Sequence, residues 1–246
     1  MPGCIGFIGL GKIGYAIAKN IISKCSTEST TFLHYDIDPA VCRTLAEETN
    51  SKHAESIAQL ASLSDVVFTV LPNDAILLKV SYGKDDNDGL VASLRPDCIH
   101  VSCSTVSPDT SRKISAEHVS KGAGFVSAPV FARPDGMALG HATIPVSSTD
   151  ETWIQRVLPL LTMTSTLVRT GFGKDAGAAN VVKLAGNFLI ASAIESMGEA
   201  LSLAEGCGVD REAVRALLTD TIFDCLIYKG YGQRVGRRDH APYHMA

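Results

Sequence analysis

The stretch Cys4-Ile5-Gly6-Phe7-Ile8-Gly9-Leu10-Gly11-Lys12-Ile13-Gly14-Tyr15-Ala16-Ile17 decides how the rest of the chain is read. Its first part, through Leu10, is apolar and β-prone, as a strand covered on both faces must be. Its second part places Ile13, Ala16 and Ile17, with Ile21 beyond them, on one face of a 3.6-residue period, the mark of an amphipathic helix. Gly9, Gly11 and Gly14 fill the junction in the spacing Gly-x-Gly-x-x-Gly. Glycines so placed permit a tight turn and let a pyrophosphate approach the backbone at the helix N-terminus. The same spacing also arises as a plain structural turn. Asp36, 22 residues after Gly14, ends the next β-prone run. Alone it is equally readable as a solvated strand end or a cap. Together with the glycines it predicts a dinucleotide, held by Gly9, Leu10, Gly11, Lys12, Ile13 and Gly14, with Asp36 on the adenine ribose. The carboxylate would repel a 2′-phosphate and no arginine adjoins it, so NAD is expected, with NADP possible.

Outward from this stretch, β-prone runs alternate with helical patterns. The runs are Cys4–Leu10, Thr31–Tyr35, Val66–Leu71, Cys98–Cys103, Phe125–Val130, Ala142–Ser147 and Thr166–Arg169. Asp38-Pro39 and Ser107-Pro108 each set a capping side chain before a proline at the first helical position. Ser148 and Glu151 have capping-box spacing. After Gly173 the character changes. Residues Asp175 to Glu205 read as one long helix, apolar on all sides, with Asp175, Lys183, Glu195 and Glu199 its only charges before the last residue. A helix of that kind is expected to be buried among other helices or subunits. Asp210 opens a second helix through Leu218, and the tail from Thr221 has no clean period. The expected fold is α/β: a Rossmann-type, doubly wound, mostly parallel sheet with a second, all-helical domain. The expected limits are 1–165 for the nucleotide domain, 166–174 for a linker and 175–246 for the helical domain.

Composition removes other classes. The 246 residues carry 22 basic and 26 acidic side chains without a basic block, which gives a nucleic-acid surface no electrostatic support. Seven scattered cysteines with no Cys-x-x-Cys pair, and seven scattered histidines, predict neither a disulfide framework nor a metal site. The N-terminus lacks a basic leader pattern. The longest uncharged run of the apolar helix, Leu184 to Ile194, has 11 residues, short for a bilayer span. A cytoplasmic protein that acts on a small molecule is therefore expected.

Four motifs, in order, resemble the β-hydroxyacid dehydrogenase family, the 3-hydroxyisobutyrate dehydrogenase and glyoxylate reductase group. They are Gly6 to Gly14, Leu71-Pro72-Asn73, Cys103-Ser104-Thr105-Val106-Ser107-Pro108, and Gly177 through Lys183-Leu184-Ala185-Gly186-Asn187. The resemblance implies hydride transfer between NAD(P) and a small 3-hydroxy acid or its carbonyl counterpart. It makes Lys183 the general acid/base and Asn187 the residue that orients the substrate or that lysine. It sets Leu71, Pro72 and Thr105 beside the cofactor and Ser104 on the substrate. Read from the residues alone, Lys183 is either a desolvated acid/base, its pKa lowered by an apolar setting, or a lysine snorkelling to the surface. Ser104 and Thr105 likewise read either as ligand hydroxyls or as a capping sequence. Cys103 reads as a small buried hydrophobe.

Two departures from the family follow. Where it carries a small Ser-Gly-Gly cradle for the substrate, this chain has Phe131-Ala132-Arg133 after Ala128-Pro129-Val130. Imine-reductase-like members are similar at this loop. Arg133 either clamps a carboxylate or is a surface charge, and Phe131, Ala132 and Arg133 are counted as substrate-site candidates. The second departure is the C-terminus: Gly230 to Arg234 through His240-Ala241-Pro242 resembles the segment before a motif that supplies another lysine, and the sequence stops at Ala246. The helical domain is therefore expected to be incomplete, to self-associate and to leave turnover weak. The rival enzyme reading is an imine or ketone reductase; the rival outside enzymes is a catalytically silent dinucleotide-binding module.

Overall fold

The computed structural model describes residues 2–25, 29–83 and 88–239. The resemblance at His240-Ala241-Pro242 and the chain end at Ala246 lie outside these residues. The first elements are β1 (Cys4–Ile8), α1 (Lys12–Lys24), β2 (Thr31–Tyr35), α2 (Pro39–Glu48), β3 (Ser51–His53), α3 (Ile57–Leu63), β4 (Val66–Thr69), α4 (Asp74–Tyr82) and α5 (Leu90–Ser93). Then come β5 (Ile99–Ser102), α6 (Pro108–Ser120), β6 (Gly124–Ser127), α7 (Pro134–Ala138), β7 (Thr143–Pro145), α8 (Glu151–Thr162) and β8 (Leu167–Arg169). Three helices close the described chain: α9 (Ala178–Gly206), α10 (Arg211–Asp220) and α11 (Leu226–Gly236).

Six strands form one parallel sheet in the order β3-β2-β1-β4-β5-β6, wound outward in both directions from β1 and β4. β4, β5 and β6 are buried on both faces, as the unbroken apolar runs predict. Phe7 and Phe68 stack with centroids 5.7 Å apart, and α1 adds Ala16, Ile17 and Ile21 to the same core. Asp38 and Ser107 cap α2 and α6 through the amides of Ala40 and Thr110, each before its proline.

Several expectations need correction. α8 is capped by Asp150, which accepts from the Thr152 amide at 2.8 Å. The Ser148 hydroxyl instead donates to the Phe125 carbonyl, so a tertiary contact overrides the capping-box spacing. β3 carries no strand signal in the sequence, because its three residues, Ser-Lys-His, show no alternation. α11 has no clean period in the sequence, because Gly230, Gly232 and Gly236 interrupt it. β7 and β8 leave the main sheet and pair with each other in parallel, tied to it by bridges Ser127↔Ser147 and Phe131↔Thr143. Where the sequence set a linker at 166–174, the chain thus includes β8.

The chain divides into two compact units, the first up to Lys183 and the second from Leu184, so the division falls inside α9. In the second unit Asp210 caps α10 through the Ala213 amide, and Arg211 donates to the carbonyls of Val235 and Gly236 at the end of α11. α9 differs from the expectation of burial: Phe188 is 70 % and Leu189 66 % exposed. Its 29 residues reach a mean hydropathy of 1.2 over 18 residues, long and apolar enough by length and composition to cross a membrane. The 11-residue uncharged run understates it, because its few charges are widely spaced.

Candidate active site

The site candidates of the first unit gather at the carboxyl ends of the central strands, where open α/β sheets take ligands. Gly9 turns the chain after β1 with φ +88°, a backbone conformation that favours glycine. A Cβ there would lie 2.3 Å from the Val70 carbonyl oxygen, and one on Gly14 would lie 2.0 Å from the Gly9 carbonyl oxygen. The loop therefore excludes side chains from both positions. Gly11 occupies the N-cap of α1, and no side chain caps the helix there. Leu10 is buried, Ile13 packs against the core, and Lys12 starts the helix. The Leu10 and Asp38 amides each donate to one oxygen of Asp36, fixing its carboxylate beside the glycine loop. Each oxygen keeps a lone pair free of these contacts. A glycine cradle that a Cβ would fill, an uncapped helix start and an oriented carboxylate fit a dinucleotide.

Hydrogen bonds tie the neighbouring loops together. Ser104, buried after β5, accepts from the Leu71 amide at 2.8 Å, joining the two loops that carry Leu71-Pro72 and Thr105. Its hydroxyl thus has a structural task beside any substrate contact. Pro72 is exposed and Thr105 half-buried. Asp74 accepts from the Ser107 amide at 2.9 Å and the Thr110 hydroxyl at 2.6 Å. Burial alone would raise the Asp74 carboxyl, but these bonds hold it below its usual value. Cys103 is buried and its thiol is pushed up to about 12 by that burial, so it is not a nucleophile.

The start of α9 is fastened to this frame by residues that local sequence patterns did not signal. Asn180, fully buried, accepts from the Val106 amide at 3.2 Å and donates to the Ser111 hydroxyl at 2.9 Å. Ser147 accepts from the Ala179 amide and donates to the Ala176 carbonyl. A Cβ on Gly177 would meet the Pro108 carbonyl at 2.7 Å, and Arg112 grips Asp175 through two nitrogens. These contacts span 29 to 74 residues, so their signal is tertiary. They set Lys183, one turn further on.

Lys183 is 9 % exposed, and its ammonium has no hydrogen bond or ion pair among the described residues. Its Nζ stands 4.1 Å from the ring centroid of Phe131. Burial pulls its pKa down from 10.5 to about 8. A buried amine with idle donors near neutrality is suited to exchanging protons with a substrate. Of the other candidates, Ala132 packs against the core, and Arg133 is exposed and paired with Asp135 at 2.9 Å. Asn187 follows one turn along α9, in the second unit, half-buried and without a side-chain hydrogen bond among the described residues.

The chain matches the NAD binding domain of 6-phosphogluconate dehydrogenase over residues 4–173. It is 30 % identical to an uncharacterized oxidoreductase, YfjR, of Bacillus subtilis, an alignment covering 97 % of this chain and 79 % of that one. The chain belongs to the β-hydroxyacid dehydrogenase family. Among its relatives is the mitochondrial 3-hydroxyisobutyrate dehydrogenase of Drosophila melanogaster, 29 % identical over 97 % of this chain and 69 % of the relative. The 3-hydroxyisobutyrate dehydrogenase of Mycobacterium tuberculosis, solved with L-serine, shares the fold with TM-score 0.79 at 24 % identity, over 92 % of this chain and 73 % of that one. Two further structures of the fold were solved with different cofactors. Psf3 with NADP+ has TM-score 0.79 at 21 % identity, covering 98 % of this chain and 88 % of that one. An imine reductase of Myxococcus stipitatus with NAD+ has TM-score 0.75 at 18 %, covering 97 % and 78 %. Membership of this dehydrogenase family makes the chain an NAD(P)-binding oxidoreductase.

Proposed function

We propose that the chain exchanges hydride between NAD(H) and a small 3-hydroxy acid or its carbonyl counterpart, with Lys183 as general acid/base. The observation that carries this reading is the buried Lys183 amine, unpaired among the described residues, with its pKa pulled down to about 8. In oxidation the neutral Nζ accepts the proton of the substrate hydroxyl; in reduction the ammonium donates it to the carbonyl oxygen. Asn187, one turn on, orients the substrate or the lysine. The Gly9–Gly14 loop holds the pyrophosphate, and Leu71, Pro72 and Thr105 line the far half of the cofactor. The chemistry a bound dinucleotide supplies is the donation or acceptance of hydride. Asp36 favours NAD, because its fixed carboxylate would repel a 2′-phosphate. Ser104 and the Phe131-Ala132-Arg133 turn bound the substrate. The exposed apolar side chains of the helical unit support self-association through it.

One observation favours a second reading, an imine or ketone reductase: an aromatic ring occupies the turn after β6 beside the lysine, where a polar carboxylate cradle would be needed for a hydroxy acid. A panel at 340 nm separates the two. Hydroxy acids are offered with NAD+ and NADP+, and aldehydes, ketones and imines with the reduced forms. Turnover of hydroxy acids, lost in Lys183→Ala, is the expected result. Turnover of imines alone transfers the assignment to the second reading, and binding without turnover of any substrate overturns both.

A further inference from the structure

The Lys183 ammonium carries three donors, none with a hydrogen bond or ion pair among the described residues, and an aromatic face lies beside it. Phe131 stands on a turn whose backbone is bound in both directions to Thr143, at 2.9 and 3.1 Å. Lys183 stands on the turn of α9 that Asn180 and Ser147 fasten to the same unit. Both partners are thus anchored, and the 4.1 Å separation is set by the frame of the first unit. That distance is well inside the range over which the negative face of a ring attracts a cation.

Among the described residues no other charge is paired with it. At the base of α9, Asp175 is paired with Arg112; beside Phe131, Arg133 is paired with Asp135; at the sheet edge, Asp74 is bonded to Ser107 and Thr110. Burial is the one influence resolved on the amine, and it acts against the charge. An apolar residue without a ring would bury the ammonium equally and give nothing back. A ring gives back part of what desolvation removes.

We propose that Phe131 is a positioning residue that holds the protonated form of Lys183 through its ring face, setting where the amine sits and the pH at which it exchanges its proton. This rests on the reading of Lys183 as acid/base, and it gives the aromatic side chain after β6 a role beyond lining the substrate. It also predicts that the chemistry of the ring, not its bulk, governs the titration.

The test follows the ¹³Cε resonance of Lys183 in the 246-residue chain, assigned by its absence in Lys183→Met, from pH 6 to 11. Three variants are compared with the parent: Phe131→Leu, Phe131→Tyr and Phe131→Trp. Leucine keeps the apolar cover and removes the ring, so the midpoint should fall by roughly 0.5 to 1.5 pH units. Tyrosine should leave it unchanged and tryptophan should leave it equal or higher. The inflection of the pH–rate profile should move with each midpoint. A leucine midpoint equal to or above the parent's overturns the proposal, as does a tryptophan midpoint below it. Where the leucine variant does not fold, the tyrosine and tryptophan midpoints decide alone by the same rule. The resonance is read without substrate. A midpoint that follows the ring in a protein whose turnover survives Lys183→Ala would therefore uphold this contact while overturning the catalytic reading.

Discussion

The two units of the chain manage their surfaces in opposite ways. In the first, the apolar side chains of strands and helices meet one another across a parallel sheet, and the loops at its carboxyl edge are stitched by Asp36, Asp74, Ser104 and Asn180. Among the described residues one buried charge, Lys183, stands outside this stitching. In the second, Phe188, Leu189, Leu203, Leu217, Ile222 and Leu226 are left largely in contact with water. α9 therefore changes character along its length, from a polar-fastened start to an apolar, open body. The contrast teaches that the proposed proton-transfer site lies where the loops are tied by hydrogen bonds between distant residues, because an anchored surround keeps an unpaired amine at one place.

Substitutions sharpen this contrast, beginning with the largest effect. Gly14→Ala forces a Cβ onto the Gly9 carbonyl, backbone against backbone, and should abolish detectable dinucleotide binding and cost about 3 kcal/mol of stability. Fluorescence titration and denaturant melts check it; a variant that binds as the parent does would dissolve the cradle. At the other extreme, Leu226→Ala, at a residue 85 % exposed, should change stability by no more than about 0.5 kcal/mol.

Lys183→Met comes next and should raise stability while removing activity. The folded-state pKa lies below the unfolded value, so the unfolded chain binds the extra proton between pH 8 and 10.5. At pH 7 the buried ammonium is a cost, on the order of 1–3 kcal/mol, that methionine relieves. A melting temperature lowered by the substitution would contradict the burial argument.

Mild acid should act more on the first unit than on the second. His100 and His118 are buried, bonded to each other at 2.9 Å, with Thr69 on the far side of His100. Burial pushes His118 down to about 4, and burial together with His118 holds His100 well below its ordinary value. Both are neutral in the fold, so their stability is full above pH 6.5 and is lost as pH falls toward 4. Residues 184–239 contain no histidine. Hydrogen exchange at pH 4.5 should therefore open β5 and α6 while the exchange of α10 changes little; equal opening of both would remove the distinction.

Much of the frame is legible in the sequence because its physics is local. The glycine junction, Asp36, and the Asp38-Pro39 and Ser107-Pro108 starts each act within a few residues. Lys183 stands as a candidate through a motif resemblance, since the residues alone read equally as an acid/base or a surface stem. The Ser148 assignment failed where a distant carbonyl outbid a local amide. Asn180, Ser147 and the Phe131 contact escaped because each joins parts of the chain tens of residues apart. The open body of α9 escaped because apolarity on all sides tells how a helix wants to be covered, not what covers it.

If Lys183 moves the proton, the pH dependence of kcat/KM carries its signature. Oxidation of a 3-hydroxy acid needs the neutral amine, so the rate should rise with pH and level off through an inflection near 8. Reduction of the carbonyl partner needs the ammonium and should fall through the same value, and both inflections should vanish with Lys183→Ala, which should lower turnover by about 10²- to 10⁴-fold. A profile flat from pH 6 to 10, or one that keeps its inflection without Lys183, would contradict the account.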